Sequence, residues 1–186
     1  SLMTLPDLKP FFDWLQIHPD LAGLITYFVS FLECLVMIGF LVPGTVFMTA
    51  IGTLIGIGVL PFTPIVLWAI AGAITGDVLS FWIGTHYHTK DFWLFRRYPQ
   101  LLEKGEAFFD KHGGKSIFFG RFIGPIRAIL PFIAGMVRMP WRQFLIADII
   151  SAIAWAPAYM LPGILLGQAS QQLPPEVATK LIIFAV

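Results

Sequence analysis

The chain has 186 residues, of which 57% are hydrophobic and 12% charged, with a formal net charge of +1 and a mean hydropathy of +0.79. Soluble domains carry about 25% charged residues, so the chain reads as an integral all-α membrane protein, and its length suits a single compact bundle. Near-neutral charge excludes a nucleic-acid partner, and the lone Cys34 excludes an intrachain disulfide or a cysteine-based metal site.

The start is acidic and contains proline, so no signal peptide is expected, and Met3 reads as the natural start after Ser1-Leu2. Residues 5–17 set apolar positions against Asp7, Lys9 and Asp13, which predicts an interfacial helix within an N-terminal segment of residues 1–19. His18-Pro19-Asp20 punctuates, and residues 20–186 are read as one transmembrane domain. Residues 21–42 are apolar except for Glu33, and Pro43-Gly44 follows at once. A second apolar run from Thr45 to Leu60 is short for a span and contains Gly52, Gly56 and Gly58, which suit close helix packing. Two apolar arms around a Pro-Gly turn predict a re-entrant hairpin over about 21–60.

Pro61 to Tyr87 is the clearest predicted span, with a small-residue face of Ala69, Gly72, Ala73 and Gly76, one acid, Asp77, and Trp82 and Tyr87 near its end. Residues 88–115 form the substantial polar loop. It holds Lys90, Arg96, Arg97, Lys104, Lys111 and Lys115, half of the 12 basic residues, and the positive-inside rule places it in the cytoplasm. Within it, residues 100–112 predict an amphipathic surface helix.

Phe118 to Met139 is apolar enough to enter a membrane, yet carries Arg121 and Arg127 and is broken at Gly124-Pro125 and Pro131. A guanidinium at the bilayer centre costs roughly 2.5–3.5 kcal/mol even on lenient insertion scales. Freed backbone groups find no water in lipid. Both features call for a sheltered polar site. Basic residues flank both ends of the stretch, which predicts a second re-entrant hairpin over 116–137, entering from the cytoplasm. Gln143 to Gln168 then spans with Asp148, Trp155, Pro157 and Pro162, and a last helix starts at Glu176 and reads as incomplete at Val186. The two broken stretches, each followed by a span with one aspartate, read as a degenerate inverted repeat. Such pairs mark binding sites in many transporters.

At Glu33, Val42-Pro43-Gly44, Gly76-Asp77, Phe119-Gly120-Arg121-Phe122, Gly124-Pro125, Arg127 and Ala134-Gly135-Met136 the chain resembles the DedA family of bacterial inner-membrane proteins, over about residues 20–170. That family is related to eukaryotic lipid scramblases with a VTT domain. The resemblance implies opposed re-entrant hairpins, a multi-pass location in the bacterial inner membrane, and lipid movement between leaflets. The implied cargo is undecaprenyl phosphate or a phospholipid, with proton-motive force involved. It also marks Glu33, Arg121 and Arg127 as essential. Thr45 departs from the family, many of whose members carry an acid directly after Pro-Gly, and Asp148 stands where asparagine is common.

Arg121 and Arg127 are the expected phosphate ligands, since a guanidinium fork matches phosphate oxygens in a dry site. The alternative is that they only pair with Glu33 and Asp77 to hold the hairpins together. Burial favours a protonated carboxyl and a nearby arginine favours the carboxylate, so Glu33 and Asp77 are candidates for charge or proton coupling. Asp77 has the alternative of a helix-packing hydrogen bond. Gly124-Pro125 and Pro43-Gly44 either aim backbone N–H groups at a headgroup or make plain tight turns. Thr45, Gly44, Asp148 and Trp155 are secondary candidates. Gly114-Lys115-Ser116 imitates the end of a P-loop without its leading glycine, His86 and His88 lack further metal ligands, and no G-x-S-x-G elbow is present. No metal or cofactor and no enzymatic activity are expected. The expected function is a flippase or scramblase for an anionic lipid. The alternatives are a proton- or ion-coupled exchanger of small solutes and a membrane-embedded enzyme acting on lipid phosphates.

Overall fold

The computed structural model describes residues 9–35, 44–86, 93–172, 174, 176–177 and 180. The described residues are mainly helical, without a strand. The helices are α1 (Lys9–Ile17), α2 (Pro19–Cys34), α3 (Gly44–Gly56), α4 (Phe62–His86), α5 (Trp93–Arg97), α6 (Pro99–His112), α7 (Ser116–Gly120), α8 (Leu130–Met136) and α9 (Trp141–Ser170).

Two helices are long and apolar enough to cross a membrane, α4 with 25 residues and α9 with 30. At 1.5 Å per residue they reach about 38 and 45 Å, more than the roughly 30 Å hydrocarbon core. Both carry large apolar side chains outward, among them Leu67, Val78 and Trp82 on α4 and Ile146, Ile150, Ile153, Leu161 and Leu165 on α9. Such surfaces need hydrocarbon around them. The two helices coincide with the predicted spans, with ends within a few residues of expectation. The other apolar helices are too short to cross. α2 ends at Cys34, well inside the apolar run of 21–42. α3 has 13 residues, about 20 Å, and α7 and α8 have 5 and 7. Residues 36–43, with the predicted Pro43 tip, and Tyr87 lie outside the described residues, as do most positions of the predicted last helix.

The chain divides into two compact units, and α2, α4 and α9 each contribute residues to both. The first comprises residues 1–29, 43–69 and 156–186. Its helices meet through glycines. A side chain at Gly52 would overlap the Met160 carbonyl, one at Gly56 the Ile164 carbonyl, one at Gly163 the Thr49 carbonyl and one at Gly167 the Thr53 carbonyl, so the α3 and α9 backbones touch. Gly23 likewise leaves room for the Trp68 indole, on which Tyr27 packs edge-on at 6.3 Å. The turn that ends α3 places Gly58 at φ +86°, a conformation open chiefly to glycine.

The second unit comprises residues 30–42 and 70–155. Its core is aromatic and branched. Phe132, Ile129 and Ile133 of the α8 region meet Ile83, Phe95 and Leu102, while Leu130 and Ala134 meet Phe81, Ile117, Met139 and Phe144. α8 touches α4 backbone to backbone, Gly135 against the Phe81 carbonyl and Gly84 against the Phe132 carbonyl. The amphipathic segment predicted at 100–112 is α6, and its apolar face is spent on the protein, with Leu102 buried and Gly105 lying over Ile133.

Candidate functional site

The second unit gathers five charged side chains in its interior, four of them buried and Arg127 half-buried. α4 and α9 each present an aspartate and a serine three residues apart on one helical face, Asp77 with Ser80 and Asp148 with Ser151. All four are buried, and so is Trp155, one turn further along α9. The end of α2 supplies Glu33 and Cys34. The cations come from the broken stretch between α7 and α8. Arg121 follows α7 directly, and Arg127 sits in a tight 3-10 turn spanning Gly124–Ala128, with Pro125 in its first turn. This break gives both arginines short routes into the interior, which two residues six apart on one regular helix would not have.

Arg121 is 5% exposed and engaged on every side. Its Nη2 donates to Asp77 and, at 2.7 Å, to Asp148 Oδ1. Its Nε donates to Ser151 Oγ at 2.7 Å, and its Nη1 points to Cys34 Sγ at 3.5 Å. The guanidinium lies 5.6 Å from the Trp155 ring centre, within cation–π range. Ser151 passes the bond on, its hydroxyl donating to the Phe118 carbonyl at 3.3 Å, and Ser80 donates to the Cys34 carbonyl at 3.2 Å. Arg127 pairs with Glu33 and is the most accessible member, its side chain 14% exposed against 0% for Glu33. The consecutive residues Glu33 and Cys34 thus each address a different arginine.

Three carboxylates face two guanidinium groups. With all five ionised this cluster is one negative charge in excess, and one guanidinium nitrogen serves two carboxylates. Glu33 Oε2 and Asp148 Oδ2 have no hydrogen-bond partner among the described residues, although such buried acceptors are nearly always satisfied. An arrangement of this kind can take up a proton, and it can exchange a carboxylate for another anion on an arginine without leaving the cation bare.

Sequence reasoning expected Arg121 and Arg127 among Glu33 and Asp77, and the structure brings these four into the same unit. Asp148, ranked behind them, pairs with Arg121 as Asp77 does, and Trp155 lies within cation–π range of it. Gly44 and Thr45 belong to the first unit. Gly44 is buried, while Thr45 is exposed in the first turn of α3, its carbonyl accepting the Thr49 hydroxyl at 2.8 Å. Ser151 and Cys34 were missed. A signal for Ser151 existed, since Asp-x-x-Ser occurs in both spans, at 77–80 and 148–151. Nothing local marks Cys34.

The VTT-domain family matches residues 42–165, the greater part of the chain. The inner membrane protein YabI of Escherichia coli is 41% identical over 143 residues, covering 76% of this chain and 56% of that protein. An uncharacterized membrane protein of Buchnera aphidicola, BU139, is 40% identical over 151 residues, 78% of this chain and 58% of that protein. Protein DedA of Escherichia coli is 37% identical over 108 residues, 55% of this chain and 48% of that protein. The chain therefore spans only about half the length of these relatives. No solved structure matches it.

Proposed function

This chain belongs to the DedA family of VTT-domain membrane proteins, and from that premise we propose that it moves an anionic, phosphate-headed lipid between leaflets, with polyprenyl phosphate the favoured cargo and a phospholipid the other candidate. The observation that carries the reading is the buried cluster in which Arg121 and Arg127 are each held by carboxylates from other helices. A permanently unpaired guanidinium would be too costly inside a membrane protein. A guanidinium held by an exchangeable carboxylate stays compensated until phosphate arrives. Phosphate then takes the bidentate face of the arginine, and the displaced carboxylate accepts a proton. Glu33 and Arg127 make the first such exchange, being the more accessible pair. Asp77, Asp148 and Arg121 form the deeper one. The lipid chain stays in the bilayer, so only the head needs a polar route. Metal, cofactor and covalent chemistry have no part in this scheme, which makes the protein a carrier rather than an enzyme.

The short helices support two re-entrant hairpins as the housing, α2 with α3 and α7 with α8, since none of α3, α7 or α8 reaches across a roughly 30 Å core. The basic residues of 88–115 support a cytoplasmic location for that loop, with the protein in the bacterial inner membrane.

The test is leaflet-resolved transfer of labelled polyprenyl phosphate in vesicles holding the purified protein. Arg127→Ala, combined with Glu33→Gln so that no buried carboxylate loses its cation, is expected to abolish transfer while the protein remains folded. Transfer of a small anionic solute into the lumen, without lipid transfer, would replace this reading with a solute exchanger. Release of phosphate from the labelled lipid would replace it with an enzyme.

A further inference from the structure

A second feature of the same unit lies outside the arginine cluster. α7 and the start of α9 leave an open groove of about 980 Å3 between them. Its walls are Phe118 and Phe119 from α7 and Ile146 and Ile150 from α9. Its polar end is made by His112, Lys115 and Gln143. That end is well defined, because a side chain on Gly114 would come within 2.8 Å of the Gln143 amide, so the approach to α7 and the first turn of α9 lie together there. Further along, the Phe118 carbonyl is tied to Ser151, and the apolar walls begin. Lys115, Ile146, Ile150 and Phe119 are all exposed. The residues lining the groove include a cation, an imidazole and an amide, but no carboxylate.

On α9 the groove residues Gln143, Ile146, Ala147 and Ile150 fall at i, i+3, i+4 and i+7, one helical stripe. Asp148, Ser151 and Trp155, which hold Arg121, form the stripe beside it. One helix therefore separates a slot with a cationic mouth from the buried arginine. Ser151 belongs to both, bonding Phe118 of the groove wall and Arg121 of the cluster.

We propose that this groove is a docking site for a lipid with a phosphate head and a long hydrocarbon chain. The head sits against Lys115, His112 and Gln143, and the chain lies along Phe118, Phe119, Ile146 and Ile150. The lipid waits there before its head enters the arginine cluster. Charge selects the occupant: a cationic, carboxylate-free mouth on an apolar slot fits an anionic amphiphile and offers a neutral lipid nothing beyond the chain contacts. The cargo class rests on the lipid-carrier reading, but docking can be measured without transport.

The experiment uses the full chain in phosphatidylcholine vesicles containing photoactivatable polyprenyl phosphate, with cross-linked residues read by mass spectrometry. Labelling is expected on the peptides bearing Phe119, Ile146 and Ile150. Unlabelled polyprenyl phosphate should compete and uncharged polyprenol should not. Lys115→Gln, a change at an exposed position, should weaken labelling about fivefold. Ile146→Trp, which fills the slot from outside, should remove it. Equal competition by polyprenol, or full labelling in Lys115→Gln, overturns the docking site. Unimpaired leaflet transfer by Ile146→Trp overturns it as a waiting position while leaving the carrier reading standing. Head-dependent labelling in a protein that transfers no lipid keeps the docking site and removes the carrier reading.

Discussion

The two units use one packing device twice. In the first, α3 meets α9 through Gly52 on the Met160 carbonyl and Gly163 on the Thr49 carbonyl. In the second, α8 meets α4 through Gly135 on the Phe81 carbonyl and Gly84 on the Phe132 carbonyl. Each contact sets a short arm, following a break in the chain, against a long apolar helix. Even the turns that end the arms correspond: two residues beyond α3 stands Gly58 at φ +86°, and two residues beyond α8 stands Arg138 at φ 58°. What differs is charge. Among the described residues of the first unit, the buried polar side chains are hydroxyls, and those of Thr26, Thr53 and Ser170 bond carbonyls of their own helices. The second unit buries Glu33, Asp77, Arg121 and Asp148 and half-buries Arg127. Glycine packing is therefore the common scaffold, and the buried charges are an addition to one copy of it. Backbone contact suits that role, since it leaves the scaffold few ways to adjust when charges inside it change partners.

The comparison breaks most sharply at Arg121. Arg121→Ala leaves Asp77 and Asp148 buried without their cation and is expected to cost about 3–5 kcal/mol, read as loss of monodisperse protein and a large fall in thermal stability. Combining Arg121→Met with Asp77→Asn and Asp148→Asn should restore much of that stability while lipid transfer stays absent. Restored transfer would mean that the cluster only holds helices together.

Next come the paired glycines. Gly52→Ala and Gly135→Ala each push a methyl group into an opposing carbonyl and should destabilise by about 1–3 kcal/mol, in similar measure by thermal unfolding in detergent. A strongly unequal pair would show that the two contacts are alike in shape only.

Glu33→Gln should change stability less, because the amide keeps the shape of the side chain. It is expected to flatten the pH dependence of transfer, since a protonation step at that position is gone. An unchanged pH profile would take Glu33 out of the coupling.

Arg138→Gly should have the smallest effect. A non-glycine residue in the left-handed region is strained by about 1 kcal/mol, so this change, which makes the second turn like the first, should raise thermal stability by no more than that amount. A fall instead would assign the Arg138 side chain a holding role that Gly58 cannot have.

Much of this was legible from residues alone. The two long helices follow from uninterrupted apolar length, and the break at Gly124-Pro125 follows because proline and glycine act locally on the backbone, whereas the end of α2 at Cys34 was not foreseen. Arg121, Arg127, Glu33 and Asp77 announce themselves as charges in apolar surroundings. Asp148 carried the same signal yet ranked lower, because its family position commonly holds asparagine. Cys34 was not legible as a site residue and Ser151 only through the repeated Asp-x-x-Ser, since a hydroxyl or thiol in an apolar helix usually bonds its own backbone, as Thr26, Thr49 and Thr53 do here.

Composition and apolar length by themselves determined that the chain lives in a membrane, where its two long helices run, and which charges it must shelter. Only the tertiary structure decided who shelters whom. Arg121 reaches partners 27, 44 and 87 residues away in the chain, and Glu33 is given to Arg127 rather than to Arg121. The reason is physical. Hydropathy and backbone propensity act over a few residues, whereas ion pairing depends on which helices the glycine contacts bring within reach of each other.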